Sequence, residues 1–369
     1  MKTSLKCLVA LIATLFLSMN SMAQSTLPLR GTVIKPSDPN IQYIGRISFA
    51  NPDSPSFSWP GIQIWTSFEG TSLKMVTKPG SGYFMAQIDN AEPFKVSLRA
   101  EQDSVATLAT ALPYGIHRVK LMYIIEGFQH RPEFRGFVLD QGCKLVSSPS
   151  LPSRKIEFIG NSITCGYGNE AMSESIHFEF STENHYYSYA AITARALEAQ
   201  HYVVARSGIG VYRHYNGPKT GSPDPMGTEY EYTNYHDKSE KWDFSRFQPD
   251  VICINLGTND MSTNNYDVKL LRAAYVKFIQ QVRSLNPKAK IVMLTGSMLN
   301  GKELELVRQT LDSVVSDYNK NGDRDIYRFD MTPHTGDLHY GADWHPSYWQ
   351  HEKMANELTS YLRTLMGWY

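Results

Sequence analysis

The stretch FIGNSITCGYG, residues 158–168, sets a single serine, Ser162, between an apolar run and a glycine-rich turn. The residues that lead into it, KIEFIG, form a short and largely apolar run, which is typical of a strand buried in a parallel sheet. Ligands of such sheets bind beyond the carboxyl ends of the strands. Ser162 is therefore a candidate nucleophile, although a serine in a glycine-rich turn more often only forms the turn or caps a helix.

The alternation of strand and helix continues to the end of the chain. Short apolar runs recur as HYVVARSG, PDVICINLG, AKIVMLTG and DIYRFD, and helical patterns cover residues 265–285, 301–318 and 346–365. Strands of this kind that alternate with helices predict a parallel sheet covered by helices on both faces. We therefore predict a three-layer α/β domain over residues 156–369.

The N-terminal half follows a different period. Between residues 24 and 146, runs such as GIQIWTSFEG, YFMAQID and HRVKLMYIIEG are short, rich in aromatic and β-branched residues, and separated by turn residues. Period-two alternation with frequent turns predicts an all-β sandwich or jelly roll. The segment SSPSLPSRK, residues 147–155, is rich in serine and proline, which favours a linker between the two predicted domains.

The first 23 residues have the pattern of a secretory signal peptide. Two lysines precede an apolar stretch from Cys7 to Leu17, and small residues follow at positions 21–23. This order of charged, apolar and small residues is that of a cleavable export signal, and the apolar stretch is too short for a membrane span. We predict a secreted protein without a membrane span after cleavage, with a retained anchor helix as the alternative.

Composition narrows the classes of partner. Lysine plus arginine and aspartate plus glutamate balance at 36 each, and no long basic run occurs, so we expect no nucleic-acid partner. Removal of residues 1–23 leaves three cysteines, Cys143, Cys165 and Cys253. An odd number of widely spaced cysteines does not indicate a disulfide framework, although one bridge is left open.

A histidine near the C-terminus offers the base that a serine nucleophile requires. His345 lies in GADWHPSYWQHEKMANEL, where Pro346 suits the first position of a helix. Asp343, two residues upstream, is placed to orient the imidazole and to stabilise its charged form, although either residue could merely cap the helix. The neighbouring histidines match no metal-ligand spacing, so we predict neither metal nor cofactor.

Two further strand ends carry candidates for an oxyanion hole. Asn259 in INLGTND can donate its side-chain amide to a developing oxyanion, although an asparagine here could simply form a turn. In ARSGIGVYRHYNG, Gly210 would let a backbone N–H approach the same oxygen because glycine has no Cβ. Gly208, two residues earlier, is a second candidate for this donor.

Four blocks together carry a family resemblance. GNSITCGYG, SGIGVYRHYNG, LGTND and DWHPS resemble the serine, glycine, asparagine and histidine blocks of the SGNH, or GDSL-type, hydrolases. The stretch GRISFANPDSPSFSWPGIQIWTSFEGTSLKM is similar to the N-terminal jelly roll of carbohydrate esterase family 2. The resemblance implies an acetyl esterase that removes O-acetyl groups from plant polysaccharides such as xylan or glucomannan.

The resemblance also assigns roles. It implies that Ser162 is the nucleophile and His345 the base, and that the N–H groups of Ser162 and Gly210 with the side chain of Asn259 form the oxyanion hole. Asn161 departs from the family pattern, because an aspartate is usual in the serine block. Asp343 departs from the wider superfamily by preceding the histidine by two positions and not three, although DWHP agrees with family 2.

Three aromatic residues are candidates for contacts with sugar rings. Trp344 adjoins His345, and Tyr212 and Tyr215 lie on the long polar loop after the second predicted strand; aromatic faces suit the apolar faces of sugars, but each ring could equally pack against the sheet. Two other functions remain alternatives. One is a carbohydrate-binding protein without activity, and the other is a lipase or lysophospholipase of the same superfamily.

Overall fold

The N-terminal part of the computed structural model is a sandwich of antiparallel strands. The structure describes residues 29–102, 104–235 and 237–369, so the predicted signal peptide, residues 1–23, lies outside the described residues. The strands of the sandwich are β1 (Thr32–Ile34), β2 (Gln42–Ile44), β3 (Gln63–Gly70), β4 (Leu73–Thr77), β5 (Gly82–Ile88), β6 (Phe94–Leu98), β7 (Val105–Ala109), β8 (Gly115–Tyr123), β9 (Phe134–Leu139) and β10 (Leu145–Val146).

Two sheets face each other in this domain. One has the order β1-β9-β4-β7, and the other has the order β10-β3-β8-β5-β6 with β2 paired to the outer part of β3. Apolar side chains that alternate along the strands, such as Phe68, Phe84 and Phe137, fill the space between the sheets. The predicted all-β sandwich is confirmed.

The C-terminal part is built on a five-stranded parallel sheet of order β12-β11-β15-β16-β17. A short antiparallel hairpin, β13 with β14, projects from the segment between the second and third strands of this sheet in chain order. Its strands and helices are β11 (Arg154–Gly160), α1 (Ser162–Cys165), α2 (Tyr189–Ala196), β12 (Ala199–Ala205), α3 (Met226–Glu229), β13 (Tyr232–Asn234), β14 (Asp237–Lys241), β15 (Val251–Asn255), α4 (Val268–Leu285), β16 (Lys290–Thr295), α5 (Gly301–Lys320), β17 (Ile326–Asp330) and α6 (Tyr348–Met366).

Helices cover both faces of the parallel sheet. Tyr275 of α4 and Val307 of α5 are buried on one face, and Tyr189 of α2 and Met354 of α6 are buried on the other. All five residues of β15 are buried, as expected for a central strand with no solvent-facing side. The predicted three-layer α/β architecture is confirmed. Among the described residues, no helix has the length and apolar character that crossing a membrane requires.

Parallel pairing fixes which loops lie together. In the register of β11 with its two neighbours, Gly160 lies opposite Ala205 of β12 and opposite Asn255 of β15. The three segments that leave these strands therefore start side by side at the carboxyl ends of the strands. The first of them contains Ser162, the second Gly208 and the third Asn259.

A buried ion pair joins the two domains. The guanidinium of Arg46, which follows β2, donates to the carboxylate of Glu157 on β11 at 2.9 Å, and the two side chains are 0 % and 3 % exposed. Arg46 also donates to the carbonyls of Tyr230 and Tyr232, and Trp59 of the sandwich donates its indole N–H to the carbonyl of Thr233 at 2.9 Å. The sandwich is thus held to the α/β domain by buried polar contacts.

Arg46→Ala tests this junction. The substitution leaves the Glu157 carboxylate buried without its cation, which costs ~3–5 kcal/mol when a buried pair is broken. Urea unfolding should show a loss of this order in the free energy of unfolding. The matched control is Lys35→Ala, because Lys35 and its partner Asp53 are 71 % and 61 % exposed, and such a pair contributes at most ~1 kcal/mol. Equal losses in the two variants would contradict the assignment.

Candidate active site

Ser162 lies at the start of a single helical turn directly after strand β11, which is paired on both sides. Asn161 caps this turn, and its side-chain oxygen accepts the N–H of Ile163 at 3.1 Å. At Gly160 a Cβ atom would lie 2.0 Å from the Thr164 hydroxyl, so only glycine allows the turn to fold back onto the strand. The aspartate that is usual at position 161 is therefore replaced by a neutral residue that can make the same cap.

His345 contacts Ser162 at the carboxyl ends of the parallel strands. The distance from His345 Nε2 to Ser162 Oγ is 2.9 Å, although 183 positions separate the residues along the chain. The other ring nitrogen, Nδ1, lies 3.1 Å from the carbonyl oxygen of Ala342 and 3.2 Å from that of Asp343. Carbonyls only accept hydrogen bonds, so Nδ1 carries the proton and Nε2 is left to accept one from the serine.

The carboxylate of Asp343 does not orient the imidazole, and this prediction is wrong. Its oxygens instead bond to the Tyr167 hydroxyl at 3.0 Å, the Phe178 N–H at 3.0 Å and His177 Nδ1 at 2.8 Å. The backbone explains the difference, because Asp343 and Trp344 adopt φ angles of 48° and 65°. Residues 342–344 thus form a tight turn that presents carbonyls to His345 and directs the carboxylate elsewhere.

Asp343 still supports the site indirectly. Tyr167, whose hydroxyl it accepts, stacks on the imidazole of His345 with ring centroids 4.1 Å apart. The hydrogen bond from Tyr167 to Asp343 therefore holds the tyrosine ring in its stacked position on the imidazole of His345. The helical prediction around His345 also needs correction, because α6 begins at Tyr348 with Ser347 as its cap, and Pro346 instead forms an isolated β-bridge with Tyr340.

The local environment keeps the base neutral. Burial lowers the pKa of His345 to about 4, and hydrogen bonds to the carbonyls of Ala342 and Asp343 only partly oppose this effect. A neutral imidazole is the form that can accept a proton from Ser162. Desolvation is therefore the main reason that the imidazole of His345 is neutral.

Asn259 and Gly208 face the same cleft as Ser162 and His345. The side chain of Asn259 is 7 % exposed, and its Nδ2 donates to the carbonyl of Ile209 at 2.8 Å. A side-chain amide has two N–H groups, so this bond orients the amide and leaves one donor. Gly208 has φ of 78°, a conformation that favours glycine.

Gly210 does not line the cleft, so its predicted place there is wrong. It packs so closely that an added Cβ would lie 1.9 Å from the Arg213 carbonyl oxygen. The cause is Asp260, a buried carboxylate that accepts the N–H groups of Val211, Tyr212 and Arg213 at 2.7–3.0 Å. Gly208 lines the cleft together with Ser162, whereas the turn around Asp260 packs Gly210 against Arg213 and Asp260. The sequence showed Asp260 only as the last letter of GTND.

Two of the three aromatic candidates line the cleft, which has a volume of about 800 Å³. Trp344 is 58 % exposed and Tyr215 is 63 % exposed, so both present rings at its rim. Tyr212 is 6 % exposed and its hydroxyl accepts the N–H of Asp267 at 2.9 Å. Tyr212 therefore belongs to the core, and its predicted contact with substrate is wrong.

Comparison with known families matches both halves of the chain. Residues 43–149 match the family model described as carbohydrate esterase 2 N-terminal. Residues 158–353 match the model of the GDSL-like lipase/acylhydrolase family. The two matches fall on the β-sandwich and on the domain that contains Ser162 and His345.

Curated relatives carry esterase names. An acetylxylan esterase/glucomannan deacetylase from Cellvibrio japonicus is 31% identical over 366 residues, which cover 98% of each chain. The cellulase/esterase CelE from Acetivibrio thermocellus is 39% identical over 335 residues, and the match covers 90% of this chain but only 40% of CelE. The chain thus spans less than half the length of CelE.

Solved structures show the same architecture. The structure of a family two carbohydrate esterase from Clostridium thermocellum in complex with cellohexaose superposes with a TM-score of 0.83 at 38% identity, covering 89% of this chain and 100% of that chain. The family two carbohydrate esterase from Cellvibrio japonicus gives a TM-score of 0.83 at 29% identity and covers 91% of this chain and 98% of that one.

The pKa of His345 sets an expectation for the pH dependence of activity. As the pH falls through about 4, Nε2 of His345 becomes protonated and can no longer accept the serine proton. The acid limb of kcat/KM on p-nitrophenyl acetate should therefore have its midpoint near 4 and well below the ~6.5 of an unperturbed histidine. Circular dichroism over the same range separates this loss from unfolding. A midpoint between 6 and 7 in the folded enzyme would contradict the assigned environment.

Proposed function

The chain belongs to carbohydrate esterase family 2, and we propose that it is a secreted esterase that removes O-acetyl groups from plant polysaccharides such as xylan or glucomannan. The enzyme is a carboxylic-ester hydrolase of the serine type. The observation that carries the proposal is the 2.9 Å contact between His345 Nε2 and Ser162 Oγ in a cleft that also contains Asn259 and Gly208.

The first half of the reaction transfers the acetyl group to the enzyme. Ser162 Oγ attacks the acetyl carbonyl carbon while His345 Nε2 takes its proton. The carbonyls beside Nδ1 stabilise the resulting imidazolium, because each accepts a hydrogen bond from it. Collapse of the tetrahedral intermediate breaks the bond to the sugar oxygen, which leaves with the proton from His345.

Donors at the edge of the sheet stabilise the oxyanion of that intermediate. In the proposed arrangement these are the N–H groups of Ser162 and Gly208 and the free N–H of the Asn259 side chain. One such donor typically contributes ~3 kcal/mol to transition-state stabilisation. Water then attacks the acetyl-enzyme with His345 as base, which releases acetate and restores the serine.

The substrate class is inferred from the cleft and from relatives. Trp344 and Tyr215 offer exposed rings in the lining of the cleft, and aromatic rings pack on the apolar faces of sugars. The relative from Cellvibrio japonicus is named an acetylxylan esterase/glucomannan deacetylase, and the solved relative from Clostridium thermocellum is in complex with cellohexaose. Secretion is inferred from the signal-peptide pattern of residues 1–23.

Ser162→Ala is the direct test. Loss of the nucleophile should lower kcat for acetate release from acetylated xylan and from p-nitrophenyl acetate by at least ~10³-fold, with the unfolding transition unchanged. The control is Ser360→Ala on the exposed surface of α6, which should keep wild-type activity. Undiminished hydrolysis by the Ser162 variant would overturn the mechanism.

The same assays separate the two alternatives. A carbohydrate-binding protein without activity would bind acetylated xylan, while even the wild-type chain would release no acetate. A lipase would hydrolyse long-chain p-nitrophenyl esters faster than the acetate. Preference for acetate together with release from polysaccharide supports the proposed function over both.

A further inference from the structure

A second groove lies between the two domains, at the amino ends of the parallel strands. Ser162 lies at the other end of these strands. The groove is lined by Arg154, where β11 begins, and by Ala199, where β12 begins, whereas Ser162 follows the end of β11. Its other wall is the outer face of β3, β5 and β8 of the sandwich. The groove has a volume of about 740 Å³, close to that of the catalytic cleft, and shares no residue with it.

Positive charge dominates this groove. Four cationic side chains line it, namely Arg118, Lys120, Arg154 and Arg195, against the single acidic residue Glu198. Within the part of the chain that the structure describes, Arg118, Lys120 and Arg195 form no ion pair with a carboxylate. Cations that converge without a counter-charge are unfavourable, and a bound anion would remove that cost.

The fold holds two of these cations in place. Trp65 on β3 lies directly opposite Lys120 on β8, and its ring has the Lys120 ammonium at 4.9 Å and the Arg118 guanidinium at 5.1 Å. Arg118 Nε is buried and has no hydrogen-bond partner. Burial and the neighbouring Arg118 both lower the pKa of Lys120. The pair is thus fixed, partly desolvated and short of an acceptor.

The opposite wall supplies a third cation in a defined pose. The Arg195 guanidinium stacks over the Tyr186 ring at 3.8 Å and donates to the Tyr186 carbonyl at 2.8 Å. Between the walls, Met85, Met122 and Leu151 form the apolar part of the lining, here called the apolar floor. A ligand that suits this groove has an apolar face and carries separated negative charges.

We propose that this groove binds an acidic oligosaccharide, in which uronate carboxylates pair with Arg118, Lys120 and Arg195 while the sugar rings lie on the apolar floor. The inference rests on the proposed function, because it places a charged segment of a polysaccharide on the enzyme while the cleft at Ser162 acts on acetyl groups. A nucleic acid fits less well, since the chain as a whole has no excess of positive charge.

Binding of matched oligosaccharides tests the groove. The probes are a xylo-oligosaccharide bearing a glucuronic acid branch and a neutral xylo-oligosaccharide of equal length, titrated calorimetrically into the Ser162→Ala variant. The acidic probe should bind more tightly than the neutral one. Arg118→Gln combined with Lys120→Gln should weaken the acidic probe at least tenfold, raised salt should do the same, and the neutral probe should bind unchanged. Lys320→Gln, on α5, is the control.

The outcomes separate this groove from the active site. In the otherwise wild-type chain, the double variant should hydrolyse p-nitrophenyl acetate at the normal rate, so a failed binding test leaves the esterase function standing. Equal affinity for the two probes, or an unchanged acidic probe in the double variant, would overturn the proposal. Tighter binding of a DNA oligonucleotide than of the uronate probe would also overturn it.

An independent observation concerns the loop that carries Gly208. Glu126, which follows β8 of the sandwich, accepts the N–H of Ser207 at 2.7 Å and also accepts the Ser207 hydroxyl. The backbone N–H of Glu126 in turn donates to the carboxyl group of Glu183 at 3.0 Å. Both glutamates are buried, at 3 % and 0 % exposure. Glu126 of the sandwich thus contacts Ser207, the residue that precedes Gly208, across the junction between the domains.

The two carboxyl groups share a site that allows only one charge. With the Cys165 thiol they form a cluster whose atoms lie within 4.8 Å of one another, and burial raises the pKa of both glutamates. The other titratable or charged groups that act on the pair are Arg206, Lys95, Tyr123, Tyr167 and Tyr235. The two hydrogen bonds from Ser207 favour the charged form of Glu126, whereas Glu183 Oε1 has no hydrogen-bond partner and burial raises the pKa of Glu183 well above its ordinary value. We therefore assign the proton of the pair to Glu183.

We infer that Glu126 is a positioning residue of the esterase, whose carboxylate fixes Ser207 and thereby aims the Gly208 N–H at the developing oxyanion. Glu183, in its protonated form, prevents a second charge from pushing Glu126 away from that loop. This inference rests on the proposed function, but its outcome is read relative to wild-type turnover and so differs from a failure of the function itself.

Two isosteric variants test the pair. Glu126→Gln replaces one acceptor by an N–H₂ group and should lower kcat about tenfold or more with little change in KM. Glu183→Gln keeps the pair singly charged, so it should retain the wild-type kcat at neutral pH and extend activity to higher pH than in the wild type, where Glu183 ionises. Glu352→Gln on the exposed surface of α6 is the control.

Three results would overturn the inference. They are a wild-type kcat in the folded Glu126 variant, an unchanged alkaline limb in the Glu183 variant, and a stoichiometric metal ion in the purified enzyme. The last result matters because two carboxylates and a thiol at this spacing are also possible metal ligands. The pH profile of the Glu183 variant decides the matter even if the Glu126 variant fails to fold.

Discussion

The structure depends on the parallel register of three strands. β12, β11 and β15 end side by side, so the chain leaves the sheet at one edge three times and places a hydroxyl, a backbone N–H and a side-chain amide within one cleft. Only His345 arrives from elsewhere, on the turn before α6. Parallel sheets bind ligands at the carboxyl ends of their strands because the connecting loops begin there.

The β-sandwich is part of the catalytic unit and not a separate module. Arg46 and Trp59 bond to the segment around β13, and Glu126 bonds to the loop before Gly208. These contacts lie on the side of the sandwich that faces the α/β domain and are buried from water. Two hydrogen bonds from Ser207 to Glu126 thus connect the sandwich directly to a loop of the active site.

The sequence was informative where local pattern decides the structure. The apolar strands, the three long helices and the position of Ser162 at a strand end all follow from periodicity and turn chemistry. Where the outcome depended on backbone angles or distant contacts, the sequence misled. The positive φ of Asp343 and Trp344 turns the carboxylate away from His345. The hydrogen bonds from Val211, Tyr212 and Arg213 to Asp260 form the turn that contains Gly210, and Gly208 lines the cleft in its place. Glu126 lies 81 positions from Ser207, and no local motif marks it.

The acceptors of the base have a consequence for how the site can change over generations. Nδ1 of His345 donates its proton to the space between two peptide carbonyls, those of residues 342 and 343. Every amino acid at those positions supplies the same carbonyl oxygen. No codon change at a partner position deletes that group outright, as it would delete an aspartate. A substitution at position 342 or 343 therefore leaves an acceptor for Nδ1 in place as long as the backbone keeps the tight turn of residues 342–344.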